Sequence, residues 1–242
     1  MGSETPKQFI EISGRPMLYY SIRAMEESNI DGIIIVAGQG TDPESMKSYE
    51  MTKKIVTDYG FKKVIKVVIG GAQRYDSCYA GIAATPANLN DIILIHDAAR
   101  PCVTPELINK MIAAGEKFGA AVPVTKVKDT IVRCNYQEAD KLKPHGTESH
   151  TPVADEPDAS PGPYTPVDRN TLRAVQTPQA FQYGLIRNAY DAFTALEDKS
   201  WVTDDAMVVY HMLHMDIKLV EGDEDNIKVT TAGDLKVIKE VL

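Results

Sequence analysis

Cysteine is scarce in this chain. The three present, Cys78, Cys102 and Cys134, have no metal-ligand spacing and cannot all pair, which argues against a disulfide or zinc scaffold and predicts a reducing, cytoplasmic setting. Basic residues are the minority: 26 Lys and Arg against 34 Asp and Glu give −8, which argues against a general nucleic-acid or anionic-membrane binder. Any anion site must then be built from a few focused cations. No apolar run reaches membrane-spanning length, and the opening residues carry no signal-peptide pattern. Also missing are a nucleophile elbow with Ser-His-Asp order, a zinc pattern, a complete Walker-type phosphate loop and any internal repeat. What remains is a soluble composition, 43% apolar and 25% charged, over 242 residues, enough for one large α/β domain.

Periodicity supplies the order of elements. Pro16 opens a helix with Met17, Tyr20, Ile22 and Met25 roughly on one face. A buried strand lies between Gly32 and Gly38. Asp42 caps a helix from Pro43 to Tyr59 that stops at Gly60. A strand from Val64 to Ile69, a helix from about Tyr75 to Ala84 and a strand from Ile92 to Ile95 follow. Thr104 and Pro105 start the next helix, which ends at Gly119 before a strand from Ala120 to Val127. Such alternation predicts a parallel sheet wrapped by helices. From Cys134 to Pro166 the chain holds six prolines and little apolar content; it reads either as a disordered or hairpin excursion or as an arm embracing a second subunit. Helices near Tyr183–Ala195 and Thr203–His214, a strand from Ile217 to Val220 and a helix from Ala232 complete the chain.

The chemistry gathers around Ile95-His96-Asp97-Ala98-Ala99-Arg100-Pro101, where a buried strand breaks into polar residues. Ligands of open α/β sheets sit past the carboxyl ends of strands. There Asp97 can accept hydroxyl hydrogen bonds or hold Mg²⁺, or serve only as a helix cap. Arg100 offers a planar fork suited to phosphate, or a surface salt bridge. His96, on the opposite face, reads as a packed histidine. Gly70 and Gly71 either let backbone approach a ligand at the next helix N-terminus or simply form a turn. Lys228 gains meaning only if it converges with Lys7 on one anion. Thr203-Asp204-Asp205 reads as a helix start with Thr as the cap, and Thr177-Pro178-Gln179 as a turn.

In order along the chain stand Pro6-Lys7-Gln8-Phe9, Gly70-Gly71-x-x-Arg74-x-x-Ser77, His96-Asp97-Ala98-Ala99-Arg100-Pro101, Asp129-Thr130-Ile131, Asp168-Arg169, Gln176-Thr177-Pro178-Gln179-x-Phe181, Thr203-Asp204-Asp205-Ala206 and Asn226-Ile227-Lys228-Val229-Thr230. As a set they closely resemble the 2-C-methyl-D-erythritol 4-phosphate cytidylyltransferase family of the non-mevalonate isoprenoid pathway. The resemblance implies a Rossmann-like doubly wound, mostly parallel sheet of nucleotidyltransferase type, one domain over residues 1–242, with a protruding dimerisation arm at 134–166. It implies transfer of a cytidylyl group from CTP to a sugar-alcohol phosphate with Mg²⁺ present, giving a CDP-linked product and pyrophosphate. Lys7 and Lys228 match the catalytic positions. Gly70, Gly71, Arg74, Ser77, Asp97 and Ala98 match the CTP site, with Gly71 and Ser77 at the cytosine. Asp97, Arg100, Thr130, Arg169, Thr203 and Lys228 match the acceptor site, Thr130 and Arg169 being lent by the second subunit of a homodimer. No direct metal ligand is expected beyond Asp97.

One departure stands out. The family opens with a core strand and a glycine-rich loop ending in Arg-Met-Gly, of which only Met1-Gly2 is matched here. The expectation is that an internal Met was taken as the start or that the leading segment was left off the sequence as given, and that these 242 residues alone are nearly inactive while longer protein is active. Ribitol 5-phosphate cytidylyltransferases share the scaffold and differ in acceptor; Ala98-Ala99 and Asp129-Thr130-Ile131 lean towards the methylerythritol enzymes. A non-catalytic CTP-binding protein is the alternative of a different class.

Overall fold

Asp42 shows how directly local chemistry sets the elements. Its carboxylate accepts the amides of Glu44 and Ser45, Pro43 follows at the first helical position, and Gly60 ends the helix in the left-handed region at φ 66°. The structure is a computed structural model, and it describes residues 6–133 and 165–242. The chain forms two compact units, one of Met1–Thr125 with Val175–Leu242 and one of Lys126–Ala174. Residues 134–164, which make up nearly all of the expected arm, lie outside the described residues.

In the first unit, the short strands β1 (Glu11–Ile12) and β2 (Arg15–Pro16) pair antiparallel across Ser13 and Gly14, both at positive φ as a tight hairpin turn requires. Helix α1 (Met17–Glu27) leads to β3 (Ile33–Ala37), α2 (Pro43–Tyr59) and β4 (Val64–Ile69), and β3 and β4 pair in parallel. Next come α3 (Arg74–Ala84), β5 (Ile92–Ile95), α4 (Pro105–Phe118) and β6 (Ala120–Lys126). The chain then enters the second unit. There β7 (Ile131–Arg133) and β8 (Thr165–Val167) pair antiparallel, and Asp168 accepts the Asn170 amide to cap a 3-10 turn at Arg169–Thr171. Strand β9 (Arg173–Val175) returns it to the first unit, where β10 (Gln179–Gln182), α5 (Tyr183–Thr194), α6 (Asp205–Leu213), β11 (Lys218–Glu221) and α7 (Ala232–Val241) follow.

The larger sheet has five strands, four of them in the order β11-β6-β10-β5, with β9 pairing β6 off that path. Strand β11 is parallel to β6, but β10 is antiparallel to both β5 and β6, with Gln179 opposite Ile95 and Ala180 opposite Ala121. The expected α/β architecture is therefore present, with one strand reversed. Thr177-Pro178-Gln179 is not simply a turn, since Gln179 already belongs to β10 and is 1% exposed.

Strand alternation divides the core between two faces. Ala120, Val122 and Val124 of β6 and Phe181 of β10 pack with Ile186, Ala189, Tyr190 and Phe193 of α5 and with Val208 and Val209 of α6. On the opposite face Ala121 and Ala180 meet Leu107, Ile108, Met111 and Ala114 of α4. A methyl at Gly115 would come within 2.9 Å of Ile92, so α4 lies directly on the sheet there. Truncating Met111 or Phe193, both fully buried, would cost ~2–5 kcal/mol. Because β10 is reversed, its beginning and the ends of β5, β6 and β11 share one edge, and the loops at that edge carry the polar motifs.

Candidate active site

Just past β5, the Asp97 carboxylate meets two cations. Its Oδ2 lies 2.8 Å from the Lys228 ammonium and its Oδ1 3.8 Å from the Arg74 guanidinium. Both cationic side chains remain partly exposed, Lys228 by 45% and Arg74 by 39%. Burial works to raise the Asp97 carboxyl, but the hydrogen bond and charge of Lys228, with Arg74 behind them, hold it below its ordinary value. Asp97 is therefore an ionised carboxylate at a strand end and not a helix cap.

Lys7, from the opposite end of the chain, reaches the main chain beside Lys228. Lys7, in a 3-10 turn at Lys7–Phe9, donates to the carbonyl of Val229 at 3.2 Å. Val229, next to Lys228, in turn donates its amide to the Ala99 carbonyl at 2.8 Å. The loop after β11 is thus stitched to the loop after β5 on one side and to the Lys7 ammonium on the other.

Arg100 is not the surface ion pair that one reading of the sequence gives. It is 8% exposed, and its terminal nitrogens donate to the carbonyls of Asn226 at 2.7 Å and Val175 at 3.4 Å. It forms no surface salt bridge; its terminal nitrogens tie two loops together by their main chains, while its buried Nε has no hydrogen-bond partner among the described residues. Gln176 and Asn226 complete this girdle. Gln176 exchanges hydrogen bonds with the Asp223 main chain at 2.7 and 3.2 Å, and the Asn226 amide donates to the Thr177 carbonyl at 2.8 Å.

His96 is packed, as its position implies. Nε2 faces the Arg100 carbonyl at 3.2 Å and must carry the proton, so Nδ1 accepts from the Thr177 hydroxyl at 3.1 Å. That hydroxyl accepts the Asp97 amide, also at 3.1 Å. Burial lowers the imidazole from 6.5 to about 4, keeping it neutral. The relay ties the Asp97 main chain to the packed imidazole.

At the end of β4, a methyl on Gly70 would come within 2.5 Å of the Gly38 carbonyl and of the Ser77 hydroxyl, and one on Gly71 within 2.3 Å of Asp76. Ser77 accepts the Gly71 amide at 3.2 Å, so both expected cytosine contacts belong to one tight bend. The helix behind it starts at Arg74 and is closed by a reciprocal Gln73–Asp76 capping box. Ala98 takes part through its carbonyl, 3.5 Å from the Ser21 hydroxyl.

Other expected residues make contacts of their own. Thr203 is exposed and its hydroxyl contacts the Met207 sulfur; Asp204, and not Thr203, caps α6 by accepting the Met207 amide at 2.9 Å. A carboxylate accepts the amide better than a hydroxyl does, and Thr203 is one residue too far from the first turn. Thr130 and Arg169 lie exposed in the second unit, where Arg169 donates to the Lys128 carbonyl. Among the described residues no cluster of three or more His, Cys, Asp or Glu could hold a metal ion, and no helix is long and apolar enough to cross a membrane.

This site can be compared with known proteins. A family model described as IspD, 2-C-methyl-D-erythritol 4-phosphate cytidylyltransferase, matches residues 1–143 and 163–242. The chain belongs to this family. Among curated members, the protein of that name from Alkaliphilus oremlandii is 37% identical over 243 residues, covering 100% of this chain and 89% of the relative. The one from Clostridium perfringens (strain SM101 / Type A) is 38% identical over 236 residues, covering 97% and 89%. Among solved structures, 4-diphosphocytidyl-2C-methyl-D-erythritol synthase from Anaerococcus prevotii superposes with a TM-score of 0.75 at 27% identity, covering 99% of this chain and 91% of that one. The cytidylyltransferase from Thermus thermophilus gives 0.68 at 28% identity, covering 98% and 93%.

Sequence reasoning passed over Asp205, Tyr190 and Thr177 as parts of the site. For Asp205 the only signal was an acid directly after another acid at a helix start, a pattern that ordinarily means two solvated carboxylates.

Proposed function

We propose that this chain transfers a cytidylyl group from CTP to the phosphate of 2-C-methyl-D-erythritol 4-phosphate. An acceptor phosphate oxygen attacks the α-phosphorus of CTP, a new P–O bond forms, and the bond to the β-phosphate bridging oxygen breaks to release pyrophosphate. The acceptor phosphate is already ionised, so no protein nucleophile or base is required. What the protein must supply is alignment of two anions and positive charge where the transition state gathers it. The reading is supported chiefly by one observation: Lys228 holds Asp97 at 2.8 Å while Lys7 reaches the adjoining Val229 carbonyl.

Lys228 has three donors and uses one on Asp97, so two remain for phosphate oxygens. Asp97 offers acceptor-hydroxyl recognition through its other oxygen. Arg74, on the same carboxylate, faces the triphosphate side together with the Gly70-Gly71 bend and Ser77. Mg²⁺ fits this donor set in the form it usually takes, held by substrate phosphates and water with Asp97 as its one candidate protein ligand, and it would neutralise phosphate charge. In this reading Thr130 and Arg169 serve the site of a second subunit, in a homodimer formed through residues 134–166. A cytoplasmic location goes with the reading, because both substrates are charged and cannot cross a bilayer unaided.

The test is pyrophosphate release by the full-length gene product from CTP with 2-C-methyl-D-erythritol 4-phosphate, with ribitol 5-phosphate run alongside. Release with the methylerythritol acceptor alone is the expected result. Release with ribitol 5-phosphate alone would replace the acceptor, and saturable CTP binding without release would replace the activity.

A further inference from the structure

Behind Asp97 lies a second carboxylate, with no solvent exposure at all. Asp205 opens α6, and its Oδ1 accepts the Tyr190 hydroxyl of α5 at 2.5 Å while its Oδ2 lies 2.5 Å from the Arg74 guanidinium of α3. A buried carboxylate is costly unless its oxygens are satisfied, and here three helices converge to satisfy it.

The geometry sets the two acids in competition for one guanidinium. Arg74 sits in contact with Asp205 but 3.8 Å from Asp97, beyond hydrogen-bond length. Asp97 Oδ2 is occupied by Lys228, so Oδ1 is the oxygen left for a ligand, and Arg74 is the group nearest to capturing it. We propose that Asp205, braced by Tyr190, is a positioning residue: it holds Arg74 back from Asp97 and so keeps Asp97 Oδ1 available to the acceptor's hydroxyls. The kinetic consequence rests on the transferase reading above; the geometric claim does not.

Asp205→Asn keeps the side-chain shape and the Tyr190 contact while cancelling the charge that holds Arg74. The expected result is a rise of ~tenfold in acceptor KM, the scale of one charged hydrogen bond lost. Adding Arg74→Gln to Asp205→Asn should return the acceptor KM to that of Arg74→Gln alone, because the intruding group is gone. A merely structural Asp205 would lower kcat through loss of folded enzyme and leave the acceptor KM unchanged, and that outcome overturns the proposal. Should Asp205→Asn fail to fold, Tyr190→Phe removes only the brace and should raise acceptor KM by about threefold; no change there is equally fatal. If the wild type releases no pyrophosphate, it is the transferase reading that fails. A crystal structure of Asp205→Asn or Tyr190→Phe then decides the geometry: Arg74 closed onto Asp97 supports the proposal, and Arg74 unmoved rejects it.

Discussion

Asp97 and Arg100 stand three residues apart in one loop, and their charges meet opposite surroundings. Asp97 faces two formal cations on partly exposed side chains, and either can change partner when an anion arrives. Arg100 is buried and faces main-chain carbonyls that cannot leave without dismantling the loops they belong to. Residue type alone would make both of them ligand contacts. What separates them is the partner: an exposed charge pair can be exchanged for substrate, whereas a guanidinium wrapped in carbonyls holds the loop at the right height for its neighbour.

That contrast can be broken from either side. Lys228→Ala should show the largest effect, lowering kcat/KM ~10²–10³-fold with little change in thermal midpoint, because it removes a donor from the reaction and not from the core. Arg100→Ala should do the reverse at first order, lowering unfolding free energy by about 3 kcal/mol by leaving buried carbonyls without their donor. Arg100→Lys should not restore it, since an ammonium cannot span both carbonyls as a planar fork does. Denaturant melts of the two variants separate these outcomes.

His96 sharpens the same comparison through pH. Folded His96 titrates at about 4 against 6.5 ordinarily, so the unfolded chain binds the proton first as pH falls. The stability that its neutral form contributes is fully present above pH 6.5 and is lost between 6.5 and 4, on the order of 3 kcal/mol. Asp97, held low by Lys228, adds a loss of the same sign at more acidic pH. Urea titrations from pH 7 to 4 should show this slope in the wild type and a flatter one in His96→Gln. The smallest effect belongs to a region remote from the site: Thr104→Ala, which loses the cap bond to the Leu107 amide, should cost ~1 kcal/mol and leave kinetics unchanged.

Much of the fold was legible because its signals are local. The caps at Asp42 and Thr104 and the stops at Gly60 and Gly119 lie where sequence chemistry puts them, and the strands Val64–Ile69 and Ile92–Ile95 match to the residue. Strand β10 was not legible. Four residues with Gln at both ends carry no period, and the strand exists only because β5 and β6 stand on either side to pair with it. The site divides the same way. Asp97, Lys7 and Lys228 could be named from residue type and motif, but the covering of Arg100 comes from Asn226 and Val175, more than seventy positions away. Asp205 is the clearest case: local sequence makes it a solvated helix-start acid, and only the approach of Tyr190 and Arg74 turns it into a buried anchor.

The most direct test is the rate of pyrophosphate release from CTP and 2-C-methyl-D-erythritol 4-phosphate by full-length Lys228→Ala protein, at a temperature where it is fully folded. A fall of at least about a hundredfold relative to wild type under the same conditions is expected. A folded variant that turns over at the wild-type rate would mean that the Asp97–Lys228 pair is a surface contact and that the chemistry lies elsewhere.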